Sequence, residues 1–201
     1  MRMGFDPMYL LLTLPAMALS MWASFRVKRV FNKHASTPLA SGKTGAEVAQ
    51  AMLDHHQIDD VSIEQVQGKL SDHYDPRARV VRLSPDVYGG RSISSVAVAA
   101  HECGHVLQDQ ESYAAMRIRQ SLVRTTGIST KMSYFVIMAG FMMRSPQLLW
   151  LGILLFSAIV VFQLVTLPVE FNASSRARKE VLAMGIVRPE EDASVGKVLN
   201  A

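Results

Sequence analysis

The chain has 201 residues, 49% of them hydrophobic, and its mean hydropathy of +0.17 is high for a water-soluble domain. Its 21 Lys and Arg against 17 Asp and Glu give a formal net charge of +4, but no basic patch interleaved with aromatics supports a nucleic-acid binder. A single cysteine excludes an internal disulfide and fits a reducing compartment.

From the N-terminus, "MYLLLTLPAMALSMWASF" (8–25) runs eighteen residues without a charge, enough to span a bilayer. The basic "RVKRVFNK" follows it, whereas a cleaved signal carries its charge before the apolar run, so 1–25 reads as an anchor. Residues 36–45 read as linker and turn. "GAEVAQAMLDHHQ" (45–57) has the apolar spacing of a short amphipathic helix. His55 and His56 at its end read as solvated residues at a helix C-terminus, with a paired-metal role as the alternative. "VSIEQVQ" (61–67) and "ARVVRLS" (78–84) read as strands, and a turn at Asp75-Pro76 lets "KLSDHY" pair with "RVVRLS". A small antiparallel sheet is expected, with an edge able to hold an extended peptide.

"AVAAHECGHVLQDQ" (97–110) carries the chemistry. Ser in "SISSVAVAA" offers a start for a buried helix, on which unpaired His and Glu would be costly. Residues four apart are offset by about 40° and stacked one turn apart, so His101 and His105 can close on one ion. Glu102, about 100° from His101, stands beside that ion, where a general base takes a proton from activated water. Cys103 points away, into packing. Gly104 lowers helix propensity by roughly 1 kcal/mol against Ala, which close approach of another backbone would explain. Catalytic zinc needs a third protein ligand. Metzincin spacing would put His at position 111, but Glu111 is there, and Gln108 stands where Gly is expected. Asp109 is about 12 Å along the helix from His101, too far to share the ion.

"YAAMRIRQSLVRTTG" (113–127) continues helical and basic. Residues 125–143 contain one charge, Lys131, and the mainly apolar 148–168 contains none; the polar 144–147 turn joins them into a membrane hairpin. Of the 21 Lys and Arg, only Arg2 and Arg144 fall on the side of the N-terminus and the hairpin turn. The positive-inside rule then makes 26–124 and 169–201 cytoplasmic. The hairpin returns the chain at "LPVEFNASSRARKE" (167–180), so Glu170 reaches the face that carries His101 and His105 and is the expected third ligand.

"TGAEVA", "DHYDPR", "RLSPDVYGGRSI", "VAAHECGHVLQ" and "LPVEFNASSRA", in that order, resemble the neutral zinc metallopeptidases of the YugP type over nearly the whole chain. The resemblance implies zinc on His101, His105 and Glu170 with Glu102 as catalytic base. "EFNAS" is similar to the glutamate-ligand helix of HtpX-type membrane peptidases. Relatives tend to continue past "SVGKVLNA" into another apolar segment, so the sequence reads as a short member or a fragment.

The expectation is an α+β, mostly helical zincin-like (gluzincin) endopeptidase facing the cytoplasm. Its parts are an anchor (1–25), a peptidase domain (26–124), a transmembrane hairpin (125–168) and a cytoplasmic helix with the third ligand (169–201). It would hold one Zn2+ per chain and cut a protein or peptide at the bilayer, with no nucleic-acid partner. Tyr113, His73 and Tyr88 are candidates for the oxyanion partner. The alternatives are a non-catalytic membrane scaffold with a structural metal, which has no use for Glu102, and a pore, for which the spans lack paired charges.

Overall fold

The computed structural model describes residues 7–201, apart from the side chains of residues 7–13, 16, 124 and 125. The chain divides into two units, Met1–Glu102 with Ala177–Ala201, and Cys103–Arg176.

In the first unit, helix α1 (Pro7–Ala35) continues from the apolar run straight into the basic segment. The start of the expected 8–25 anchor therefore has side chains outside the described residues. Farther along, Leu14, Met17, Leu19, Trp22 and Phe25 are all more than half exposed. At its other end Phe31 accepts a hydrogen bond from the Ser94 hydroxyl at 2.7 Å.

Thr44 caps α2 (Gly45–His55) through a capping box: its hydroxyl accepts the Glu47 N–H, and the Glu47 carboxylate accepts the Thr44 N–H. That pair satisfies two otherwise orphaned backbone donors. The expected apolar stripe is buried, as Val48, Ala49, Met52 and Leu53. The helix stops in a Schellman turn, Ile58 N–H to Leu53 O and Gln57 N–H to Asp54 O, with Gln57 at φ 55°. A left-handed non-glycine residue costs about 1–2 kcal/mol, offset here by burial of Ile58 close after Leu53.

The strands are β1 (Ser62–Gln65), β2 (His73–Asp75) and β3 (Val80–Leu83). The Asp75 carboxylate accepts the N–H groups of Arg77 and Ala78, which tightens the turn and holds its own pKa below the usual carboxylate range. β2 pairs antiparallel with β3 as the Asp75-Pro76 turn demands, Tyr74 opposite Val81. The sheet as a whole is not antiparallel. Its order is β1-β3-β2, and β1 runs parallel to β3 with Ser62 opposite Val80. Residue alternation marks which segments are extended but not which edge each takes. The segment between β1 and β2 carries the chain past β3, so β1 and β3 point the same way. Arg82, in the central strand, spans both neighbours, with Glu64 at 3.4 Å and Asp75 at 3.2 Å.

A single helical turn, α3 (Pro85–Tyr88), leads to α4 (Ile93–Gln110), which runs out of the first unit into the second. At the end of the chain, α7 (Pro189–Leu199) is tied back by a bidentate Arg178–Asp192 pair, both bonds 2.7 Å. The guanidinium lowers the Asp192 pKa, so this contribution is present above the ordinary Asp range and is lost as pH falls through the depressed value.

The second unit contains the rest of α4, then α5 (Ala114–Met142) and α6 (Pro146–Ala183) up to Arg176. Arg144, at φ 51°, turns α5 into α6. The hairpin closes on small residues: Gly140 lies against Leu149, and Gly152 against Ile137. α6 is continuous through Pro168 and is the one described helix long and apolar enough to cross a membrane by length and composition. α4 meets α6 at Gly104, where a Cβ would lie 2.5 Å from the Ala173 carbonyl oxygen. That close approach accounts for the glycine in the motif.

Because the obstructing atom is backbone, Gly104→Ala should destabilise by about 1–3 kcal/mol. Gly127→Ala, whose Cβ meets nothing within 4 Å, should be neutral or slightly stabilising. Paired thermal unfolding curves in detergent check the contrast; equal melting points would refute close packing at Gly104.

Candidate metal centre

Helix α4 begins as its serines suggest: the Ser92 hydroxyl accepts the Ser95 N–H at 3.1 Å. Val96, Ala97, Ala99, Ala100, Cys103 and Val106 are buried, which seats the helix and puts Cys103 in packing rather than chemistry. His101 is half-buried on this helix; Glu102 and His105 are buried, at 8% and 5% exposure.

Gln108, wholly buried one turn beyond His105, organises the centre. Its Nε2 donates to the Val169 carbonyl at 2.8 Å and to Asn172 Oδ1 at 2.9 Å. Those partners only accept, so the other end of the amide must be the oxygen. That oxygen lies 3.0 Å from His105 Nδ1, which therefore carries a proton and donates it. In the neutral ring, Nε2 is then the lone-pair nitrogen.

His105 Nε2 faces Glu170 Oε2 at 3.3 Å. A lone pair opposed to a carboxylate oxygen repels unless a proton or a cation lies between them. Two ligands held at 2.0–2.1 Å in a tetrahedral site are roughly 3.3–3.4 Å apart, so the spacing suits zinc. His101 stands one turn back on the unbroken α4 helix and is the third candidate donor. One ligand atom from each of His101, His105 and Glu170 lies within 4.8 Å of the other two. The donor set, two imidazoles and a carboxylate, is one that catalytic zinc uses.

Carboxylates nearer in sequence are engaged elsewhere. Glu111 pairs with Arg176 at 2.6 Å, and Asp109 accepts from Gln120 Nε2 at 3.1 Å. Arg119 on α5 stands 3.6 Å from Glu170 Oε1, the oxygen turned from His105. Its Nε is buried without a hydrogen-bond partner. Tyr113 is the half-buried residue that precedes α5, Tyr88 ends α3, and His73 is exposed with Nδ1 2.8 Å from the Ser71 carbonyl oxygen. Sequence reasoning missed Gln108, Asn172 and Arg119. Gln108 had offered a signal, a polar residue three past His105 on an apolar helix; nothing in sequence distinguished Arg119 from the other basic residues of its segment.

A family model described as "Putative neutral zinc metallopeptidase" matches residues 9–201. The chain is also similar to a protein of Bacillus subtilis (strain 168) named "Putative membrane protease YugP". The two are 48% identical over 194 residues, covering 96% of this chain and 86% of that protein. No solved structure matches the chain. With the family model spanning almost all of the sequence and the ordered motifs in place, the chain belongs to the family described as putative neutral zinc metallopeptidases.

Proposed function

We propose that the protein is a membrane-bound zinc endopeptidase of the gluzincin type, acting on protein or peptide substrates at the cytoplasmic face of a bacterial plasma membrane. The observation that carries the reading is the convergence of His101, His105 and Glu170 ligand atoms within 4.8 Å. The "membrane protease" in the name of the Bacillus subtilis relative agrees with it.

His101, His105 and Glu170 would hold one catalytic zinc. The chemistry such an ion would supply is Lewis acidity toward the scissile carbonyl and toward the attacking water, whose pKa would fall toward about 7. Glu102 accepts the proton of the attacking water and passes it to the leaving amine. Its burial limits competition from bulk water for that proton. Gln108 fixes the His105 tautomer and so keeps the ligand nitrogen directed at the site. Arg119 adds positive charge beside Glu170 and joins Tyr113, His73 and Tyr88 as a candidate for stabilising the oxyanion.

Membrane association rests on exposure as much as on composition. The most apolar window of α6 is only 6% buried, whereas a core helix of a soluble protein would be mostly covered. Trp150, Leu154 and Leu164 are each more than 60% exposed. Leaving such side chains in water forfeits about 1.5–3 kcal/mol apiece, which lipid would restore. In this reading 1–25 anchors the chain, 26–124 is the catalytic domain, 125–168 is the membrane hairpin and 169–201 returns with the third ligand. The charge split, nineteen of 21 Lys and Arg in 26–131 and 169–201, supports a cytoplasmic catalytic side in this reading.

Three outcomes are expected. Glu102→Gln should retain zinc yet lose about 10²–10⁴-fold in casein cleavage, since only the proton acceptor is removed; full activity in the variant would sink this mechanism, and a zinc-loaded wild type that cleaves nothing would favour a scaffold with a structural metal. Glu170→Ala should be emptied of zinc by dialysis against zinc-free buffer, while Asp109→Ala and Glu111→Ala keep one equivalent. Metal retained by the first variant and lost from the others would make the third ligand local. On a Cys103→Ala background, Ser145→Cys should react with an impermeant thiol reagent from outside the cell and Gly89→Cys should not. The opposite labelling would invert the orientation.

A further inference from the structure

Two of the six histidines, His55 and His56, are adjacent at the end of α2, far in sequence from α4 and its HExxH pattern, His101-Glu102-Cys103-Gly104-His105. The Schellman turn at Gln57 fixes the backbone around them. His56 is the C-cap, with φ −92° and ψ 8°, so it departs from helical geometry and the two imidazoles are not bound to the divergent directions of helix neighbours. The rings meet edge to face, with centroids 5.2 Å apart.

Glu180, on the part of α6 that belongs to the same unit, completes a second cluster. His56 Nε2 lies 3.0 Å from Glu180 Oε2. A ring nitrogen of His55 also falls within 4.8 Å of ligand atoms from both. An ion pair between His56 and Glu180 accounts for one histidine, and the edge-to-face contact holds the other ring beside it without giving its nitrogens a shared partner. A divalent cation accounts for both.

We propose that His55, His56 and Glu180 form a second metal-ion site, which binds a divalent transition cation such as zinc and clasps the end of α2 to the C-terminal part of α6. Two imidazoles and one carboxylate suit zinc, and poorly suit magnesium or calcium, which prefer all-oxygen shells. His56 Nε2 and Glu180 Oε2 stand 3.0 Å apart, a hydrogen-bond distance that needs to open by only a few tenths of an ångström, to about 3.3 Å, to admit an ion. Exposed His55 closes the remaining distance by a side-chain rotation, and solvent water fills the fourth position. Exposure makes this the weaker of the two sites, occupied when free zinc is available and emptied on dialysis. Its role is structural: among the described residues Glu102 is the one buried acid, and it stands beside His101 rather than here.

The test counts metal in the full-length, detergent-purified chain at excess and at zero free zinc. Two equivalents are expected in wild type at excess zinc, falling to one after dialysis. His55→Ala should bind a single equivalent at excess, keep its casein cleavage, and lose the zinc-dependent rise in melting temperature that wild type shows. His55 is the informative position because the His56–Glu180 ion pair survives its removal. His56→Gln should likewise lose the second equivalent, and serves if His55→Ala does not fold. Magnesium should give neither binding nor a melting shift. A wild-type chain that never exceeds one equivalent overturns the proposal, as does a second equivalent that persists in the histidine variants. Because the second equivalent is read separately from the one retained on dialysis, failure here leaves the HExxH reading untouched, and failure of that reading leaves this one testable.

Discussion

The buried amide of Gln108 is the contact on which the candidate centre depends. It bonds His105 at one end and the Val169 carbonyl and Asn172 at the other, so one side chain sets both the tautomer of His105 and the seating of α4 against α6. A wholly buried amide with unmet hydrogen bonds would cost on the order of 1–3 kcal/mol per group, so the arrangement is favourable only when α6 is docked. Gly104 makes that docking geometrically available by letting the Ala173 backbone approach. Closeness and polarity thus act together: the glycine admits the helix and the glutamine fixes its register, which brings Glu170 to 3.3 Å from His105.

Charge around Glu170 is arranged to match. Arg119 approaches the oxygen that His105 does not face, while Arg176 is held by Glu111, and its Nε donates to Asn172 Oδ1 at 2.7 Å. Asn172 thus receives donors from both Gln108 and Arg176, extending the network along α6. Polar networks of this kind define one packing among many apolar alternatives, because each misplacement strands a donor or an acceptor.

The intervening α5–α6 hairpin has the opposite character. Its helices leave Phe135, Phe141, Trp150 and Leu154 uncovered and touch one another through glycines, at Gly140 and Gly152. Small residues at helix contacts and large apolar ones facing outward are what packing in lipid favours, since burial against a partner helix offers little advantage over hydrocarbon. The hairpin also lets the segments carrying His105 and Glu170, more than sixty residues apart in sequence, be joined by rigid helix rather than by a floppy loop with a large closure entropy.

Much of this was legible in the residues themselves. The 3.6-residue period put His101 and His105 on one face; the apolar stripe in 45–57 and the turn at Asp75-Pro76 foretold α2 and the β2–β3 pairing; Gly104 announced a close backbone. Those signals are local, set by bonded geometry and the alternation of apolar and polar side chains over a few turns. The approach of Glu170 to His105 was foreseen only by combining an expected third ligand with the return of a hairpin. The parallel placement of β1, the tautomer of His105, the Arg119 contact and the convergence of His55 with Glu180 had no local signature. Each depends on which surfaces meet after the helices pack, and the same side chains would satisfy their local preferences in other arrangements. Sequence alone determined the helix that carries the motif; tertiary structure decided what faces it, because hydrogen-bond complementarity between distant segments exists only once they are in contact.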